Sequence, residues 1–220
     1  MKRGNREPKI DQIRSLVYIP IVHTEKDMGT LATQMKDAFV SEHGGEQWNE
    51  HWKAIHEMWD GLKVKIQQLK LDYVKTRLYQ DGLPACGFEE KIIRDLGARG
   101  SKNHQLLIWL MEQGASLEGT EDPNLLIQEY SHIKKILSAA TEDDKQSAVK
   151  EYEAVAKELL LKRDQFISKR IEETLKFGET GLLFLGMLHG VDEILSKDIK
   201  VSYLIHRLPF KRSFETKLES

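Results

Sequence analysis

The chain has a single cysteine, Cys86, among 220 residues. No disulfide can form within it, and a reducing compartment is the simplest setting. Proline is scarce, with five residues, and no proline- or glycine-rich linker, repeat or low-complexity stretch divides the sequence. Neither sign of charge dominates: 33 Lys and Arg face 35 Asp and Glu, for a formal charge of −2. The two signs are interleaved, which argues against a dedicated nucleic-acid surface. The basic clusters at Met1-Lys2-Arg3 and Lys211-Arg212 read as solvated tails. No apolar run is long enough to span a bilayer, and no basic-then-apolar leader opens the chain. The expectation is a cytoplasmic protein with neither membrane nor nucleic acid among its partners.

Motif absences narrow the chemistry. No GxGxxG follows a strand, and neither Gly82 nor Gly97 begins a GxxxxGK[ST] loop, which argues against Rossmann and P-loop nucleotide enzymes. There is no GxSxG nucleophile elbow, and no HExxH or paired-cysteine zinc spacing. The stretch Gly100-Ser101-Lys102-Asn103-His104 could place an anion at a helix N-terminus, but it reads as ordinary capping.

What is present is a 40% hydrophobic, 31% charged composition, enough for one domain over residues 1–220. Two apolar runs end in histidine: Tyr18-Ile19-Pro20-Ile21-Val22-His23 and Leu182-Leu183-Phe184-Leu185-Gly186-Met187-Leu188-His189. Runs of that kind read as strands buried on both faces. Strands are expected over residues 15–23, 72–80, 115–120, 181–188 and 200–205. Helical stretches lie between them. Thr24 with Asp27 resembles a capping box directly after His23, Ser101 caps a helix that Gly114 stops, and Asp122-Pro123 starts another. The alternation predicts an α/β fold: a mainly parallel central sheet of about five strands with long helices packed over it.

Two of those helices are long. Over residues 46–70, Trp48, Trp52, Ile55, Trp59, Leu62, Ile66 and Leu69 recur at steps of four and three, a heptad-type seam. It fits a helix lying over the sheet. It also fits a homodimerisation arm through residues 46–69, or a protruding lid over residues 44–70 with three tryptophans facing a cleft. Gly61 weakens it locally. In the second, over residues 144–177, the apolar stripe runs through Val149, Tyr152, Ala156, Leu160, Ile167, Ile171 and Leu175. Arg163 and Asp164 fall inside that stripe. Charges facing a core are costly unless paired or used.

His23, Gln80 with Asp81, Glu118 with Glu121, and His189 all fall at expected carboxyl ends of strands, where parallel sheets bind ligands. Imidazoles with carboxylates can hold a divalent metal and leave a position for water. A histidine held by an acid can instead act as a general base without metal. Arg163 near the same edge could clamp an anionic or carbonyl-bearing group.

Arg163-Asp164 on a helix, followed by an apolar strand ending in Gly186-x-x-His189, resembles the distal signature of a broad superfamily. That group includes the TraB pheromone-shutdown proteins, the Tiki proteases, the erythromycin-esterase-like enzymes and the ChaN-like haem-uptake proteins. His23 stands where the group's first-strand histidine would be, with Pro20 where glycine is usual. The resemblance implies a hydrolase-like enzyme acting on a small molecule or peptide, with or without a divalent metal. His23 and His189 would be metal ligands or general base, and Glu118 or Glu121 a ligand or base. Arg163 would orient substrate or stabilise an oxyanion, and Asp164 would position Arg163 or a histidine. The expected metal set is His23, His189 and Glu121. The alternatives are a non-catalytic haem-, metal- or small-anion-binding protein, and a scaffold dimerised through the tryptophan helix.

Overall fold

The apolar runs assemble into a sheet, which the computed structural model describes with its helices over residues 13–22 and 32–206. The strands are β1 (Arg14–Ile21), β2 (Thr76–Gln80), β3 (Ser116–Glu118), β4 (Thr180–Gly186) and β5 (Ile199–Tyr203). They lie in the order β3-β2-β4-β1-β5, and every neighbouring pair is parallel. The expected α/β architecture is the one adopted. The helices are α1 (Ala32–His43), α2 (Gly45–Gln68), α3 (Glu89–Ala98), α4 (Lys102–Glu112), α5 (Pro123–Leu137) and α6 (Glu142–Thr174).

The two-residue side-chain period of the strands divides the core in two. Val17, Ile19, Ile21, Leu78, Leu182 and Phe184 face α2, α3 and α4, meeting Ile55, Trp59, Leu62, Ile93 and Leu107. The intervening Leu16, Tyr18, Tyr79, Leu183 and Leu185 face α6 at Ile167, Ile171 and Leu175. Each fully buried large side chain contributes roughly 1.5–3 kcal/mol. The chain moves outward from β1 to β3 and then returns to β4, so right-handed crossovers must change face at that reversal. The segment leaving β4 turns to the α6 side through Val191. Those leaving β1 and β2 lead to helices on the other side. β4 is thus flanked by topological switch points, the crevices where open α/β sheets bind ligands.

Three helices start where the capping residues dictate. Ser101 accepts from His104 N, Asp122 from Asn124 N ahead of Pro123, and Thr141 from Asp144 N, each cap worth about 1 kcal/mol. The Gly100–His104 stretch is therefore a cap, as read. α3 is an addition that the sequence pattern did not announce. The expected second strand is shorter, because Tyr73–Lys75 form a 3-10 turn in which Val74 is exposed. The fourth stops at Gly186, where His189 N bonds back to Gly186 O at 3.3 Å and leaves Met187 and Leu188 in solvent. The helix expected directly after His23 lies outside the described residues.

The seam of α2 is core from Ile55 onward: Ile55, Met58, Trp59, Leu62 and Ile66 are buried. Trp59 is 2% exposed and lies 6.5 Å ring-to-ring from Phe184, inside the core. Trp48 and Trp52 are half-buried, against Phe39 and His56. A dimer contact along α2 would therefore have chiefly this first stretch of the helix available. Gly61 has a packing reason, since a Cβ there would lie 2.1 Å from His206 Nε2. The segment after β5 crosses α2 at that point, and Lys65 Nζ donates to Ile205 O at 2.7 Å.

Helix length sets the surroundings of the sheet edge. Asp164 meets the turn after β4, whereas Glu172 and Leu175 meet Arg14 at the opposite end. Residues 142–162 of α6 therefore rise roughly 30 Å beyond the carboxyl edge, with α5 antiparallel beside them. The first half of α2 rises beyond the edge on the other face, and its neighbour α1 touches α5. Two helical hairpins stand over the carboxyl edge. Among the described residues, no helix is long and apolar enough to cross a membrane.

Candidate functional site

Between those hairpins, four carboxylates gather around one guanidinium and one imidazole. Asp81 follows β2, Glu121 follows β3, Glu129 comes from α5, and Arg163 with Asp164 from α6. His189 completes the turn after β4. The charged pair that interrupts the apolar stripe of α6 is buried, as its position demanded, and fully partnered.

Arg163 binds three elements at once. Its Nε and Nη2 form a fork on Glu121 at 2.6 Å each, Nη2 also donates to Asp81 Oδ1 at 2.8 Å, and Nη1 to Glu129 Oε2 at 2.6 Å. Bidentate charge-assisted bonds of this kind are the strong ones. Glu121 is 0% exposed. Burial is the largest influence on it and pushes its carboxyl up, the Arg163 fork pulls it down, and the Asp81 charge pushes it up again. Its Oε1 also accepts from Gly82 N at 2.8 Å. The neighbouring carboxylates hold Arg163 protonated, well above the usual guanidinium value, although burial opposes them. Four hydrogen bonds of the guanidinium end on protein carboxylates. Arg163 is therefore an anchor for acids, and a role as substrate clamp or oxyanion donor does not match this geometry.

Asp164 turns the other way. Its Oδ1 meets His189 Nδ1 at 2.5 Å, and its Oδ2 accepts from Gly190 N at 3.0 Å. A carboxylate facing Nδ1 requires the proton there, so in the neutral imidazole Nε2 carries the lone pair. Asp164 was expected beside Arg163 or a histidine, and the structure places it against His189. Nε2 lies 3.8 Å from Asp81 Oδ2, too far for a direct hydrogen bond, yet close enough for one O–H donor to face both. Asp81 is fixed by Arg163 and by Gly186 N, which donates to its Oδ2 at 2.9 Å. Beneath the turn, the Tyr18 hydroxyl lies 3.4 Å from both Gly186 O and His189 O. Burial pushes that phenol up, so it stays a donor.

Glu118 does not join this group. It pairs with Arg77 at 2.5 Å and with Arg170 at 3.7 Å. Arg170 lies two turns beyond Arg163 on α6, about 10 Å further down the sheet. The reason is height along the sheet: Glu118 is the last residue of β3, level with Arg170, whereas Glu121 lies past the strand's end. Gln80 is buried on the opposite face of β2, its Nε2 donating to Asp81 O at 3.1 Å. His23 lies outside the described residues. Glu129, which locks α5 to Arg163, was not read from the sequence. Its signal was weak, an acid on a helix with no buried side chain.

The expected metal set does not fit at Glu121, because both of its oxygens accept from Arg163 and Oε1 also from Gly82 N. Among the described residues, no three His, Cys, Asp or Glu side chains form a group able to hold a metal ion. Comparison with protein-family models, curated proteins and solved structures finds no match. The functional reading therefore starts from the geometry.

Proposed function

We propose that the chain is a hydrolase of small ester or amide substrates, peptides included, with His189 as general base. The observation that carries this is the His189–Asp164 contact, set beside an Asp81 that Arg163 immobilises. Asp164 fixes the imidazole with Nε2 toward Asp81. A water held against Nε2 and Asp81 Oδ2 gives its proton to Nε2 as its oxygen bonds to the substrate carbonyl carbon. The imidazolium, stabilised by Asp164, then returns that proton to the leaving oxygen or nitrogen as the carbonyl carbon–leaving-group bond breaks. Arg163 and Glu121 act on Asp81 and touch no substrate; they are positioning residues.

The resemblance to the TraB, Tiki and erythromycin-esterase-like group supports the same reading. Gly186, His189, Arg163 and Asp164, the residues that carry it, each bond to a member of this cluster. A small-anion binder is disfavoured, because acids outnumber bases at the site and the guanidinium is committed. A divalent metal belongs to this reading only if His23 adds to His189 Nε2 and Asp81 Oδ2. Metal analysis of tag-free protein, with His23→Ala beside it, decides that form.

The test is hydrolysis of a panel of p-nitrophenyl esters and aminoacyl amides by the wild type and by His189→Gln. The expected result is a loss of about 10²–10⁴-fold in the variant, with unchanged circular dichroism. Equal rates in the two proteins, or no hydrolysis of any member by the wild type, would overturn the proposal.

A further inference from the structure

On the sheet face opposite His189, three buried polar side chains lack hydrogen-bond partners at four atoms: Trp59 Nε1, Gln80 Oε1, and Asn103 Nδ2 and Oδ1. Their exposures are 2%, 1% and 1%. Native proteins partner nine in ten or more of their buried polar groups, and an orphan costs roughly 1–3 kcal/mol. Four orphan atoms in one region therefore point to an occupant.

The three side chains come from three elements that converge at the carboxyl edge. Gln80 ends β2 and pairs in register with Phe184. The Trp59 ring lies 6.5 Å from the Phe184 ring. The next residue of α2, Asp60, reaches Lys102 at 3.5 Å, which sets the turn carrying Trp59 against the first turn of α4, where Asn103 sits. Phe184, Ile93, Leu106 and Leu107 make the surroundings apolar. The edge is the β2–β4 crevice beside which parallel sheets take ligands.

We propose that Trp59, Gln80 and Asn103 form a binding point for a small neutral amide group. Trp59 Nε1–H and Asn103 Nδ2–H are two donors, and Gln80 Oε1 and Asn103 Oδ1 are two acceptors. A carboxamide is the complement, with two lone pairs on oxygen and two N–H bonds. A carboxylate would face two acceptors unpaired, and an ammonium two donors, each in an apolar setting that penalises charge. One ordered water offers the same two donors and two acceptors, so the experiment must separate the two occupants. The site stands independently of the hydrolase reading.

The experiment is titration of the ¹⁵N-labelled full chain with acetamide, following the Trp59 indole N–H, assigned by its loss in Trp59→Phe. The expected result is a saturable shift with acetamide, absent with acetate and ethylammonium and retained in His189→Gln. Asn103→Leu removes an orphan amide and should fold at least as well as the wild type, yet abolish the response. Gln80→Met provides a second variant that should abolish the response, at the cost of the Gln80 Nε2–Asp81 O bond. No saturable shift, or a crystal soaked in acetamide with ordered water only between the three side chains, would overturn the proposal.

Discussion

Removing Arg163 should expose the cost of the acids it holds. In Arg163→Met, Glu121 is left 0% exposed without its fork, and breaking a buried pair by deleting one partner costs about 3–5 kcal/mol. The least costly escape for Glu121 is to take up a proton. With an ordinary glutamate pKa near 4.3, neutralising it costs about 4 kcal/mol at pH 7.5 but only about 1 kcal/mol at pH 5. The sign follows from linkage: burial raises the folded-state pKa of Glu121. The folded state therefore holds its proton more tightly, and stability is lost as pH rises from the unfolded value through the folded one. The fork limits that loss in the wild type; the variant has no such limit. The assay is thermal unfolding of both proteins at the two pH values. At 2–4 °C per kcal/mol for a chain of this size, the variant should melt roughly 8–16 °C lower at pH 7.5. The gap should shrink to a few degrees at pH 5. Adding Glu121→Gln to the variant should recover part of the neutral-pH loss. A gap of equal size at both pH values, or one under about 1 kcal/mol at pH 7.5, would refute the reasoning.

Asp164→Asn should keep the fold and lower ester hydrolysis by more than tenfold, because one amide oxygen cannot serve both Gly190 N and Nδ1–H, and an N–H2 turned to Nδ1 favours the wrong tautomer; kcat and circular dichroism measured together check it. Gly119→Ala, in the loop that presents Glu121, should lower stability by about 1–3 kcal/mol, since its Cβ would lie 2.5 Å from Ala85 Cα in the loop after β2; chemical denaturation gives the value. Asp122→Ala should cost about 1 kcal/mol as a lost helix cap without changing activity, read by the denaturation midpoint. Trp59→Glu should unfold the chain, whereas Trp52→Glu, at a half-buried position, should not; sedimentation of Trp52→Glu then reports on a dimer through the start of α2.

The sheet was legible because its central strands are buried on both faces, and unbroken apolar runs such as Leu182–Leu185 carry that condition in themselves. Arg163 and Asp164 were legible for the opposite reason, as charges in a stripe that helical geometry turns to the core. Choosing among the middle acids needed information that no local pattern holds. Asp81 and Glu121 reach Arg163 because β2 and β3 lie on one side of β4, and strand order is a non-local outcome. Glu118, three residues before Glu121, was indistinguishable until the end of β3 was known. α3 went unread because its buried face is only Ile93 and Gly97, too thin to make a period. The fourth strand was read too long because Met187 and Leu188 continue its apolar run, although the chain turns at Gly186 and leaves both in solvent. That turn is what brings His189 back to Asp164.

The most direct test is ¹⁵N NMR of the His189 ring near neutral pH. The geometry predicts a protonated Nδ1 with a downfield, slowly exchanging proton, an unprotonated Nε2, and loss of the downfield signal in Asp164→Ala. A proton on Nε2 with Nδ1 bare, or a downfield signal that survives Asp164→Ala, would contradict the assignment of His189 as an Asp164-held base.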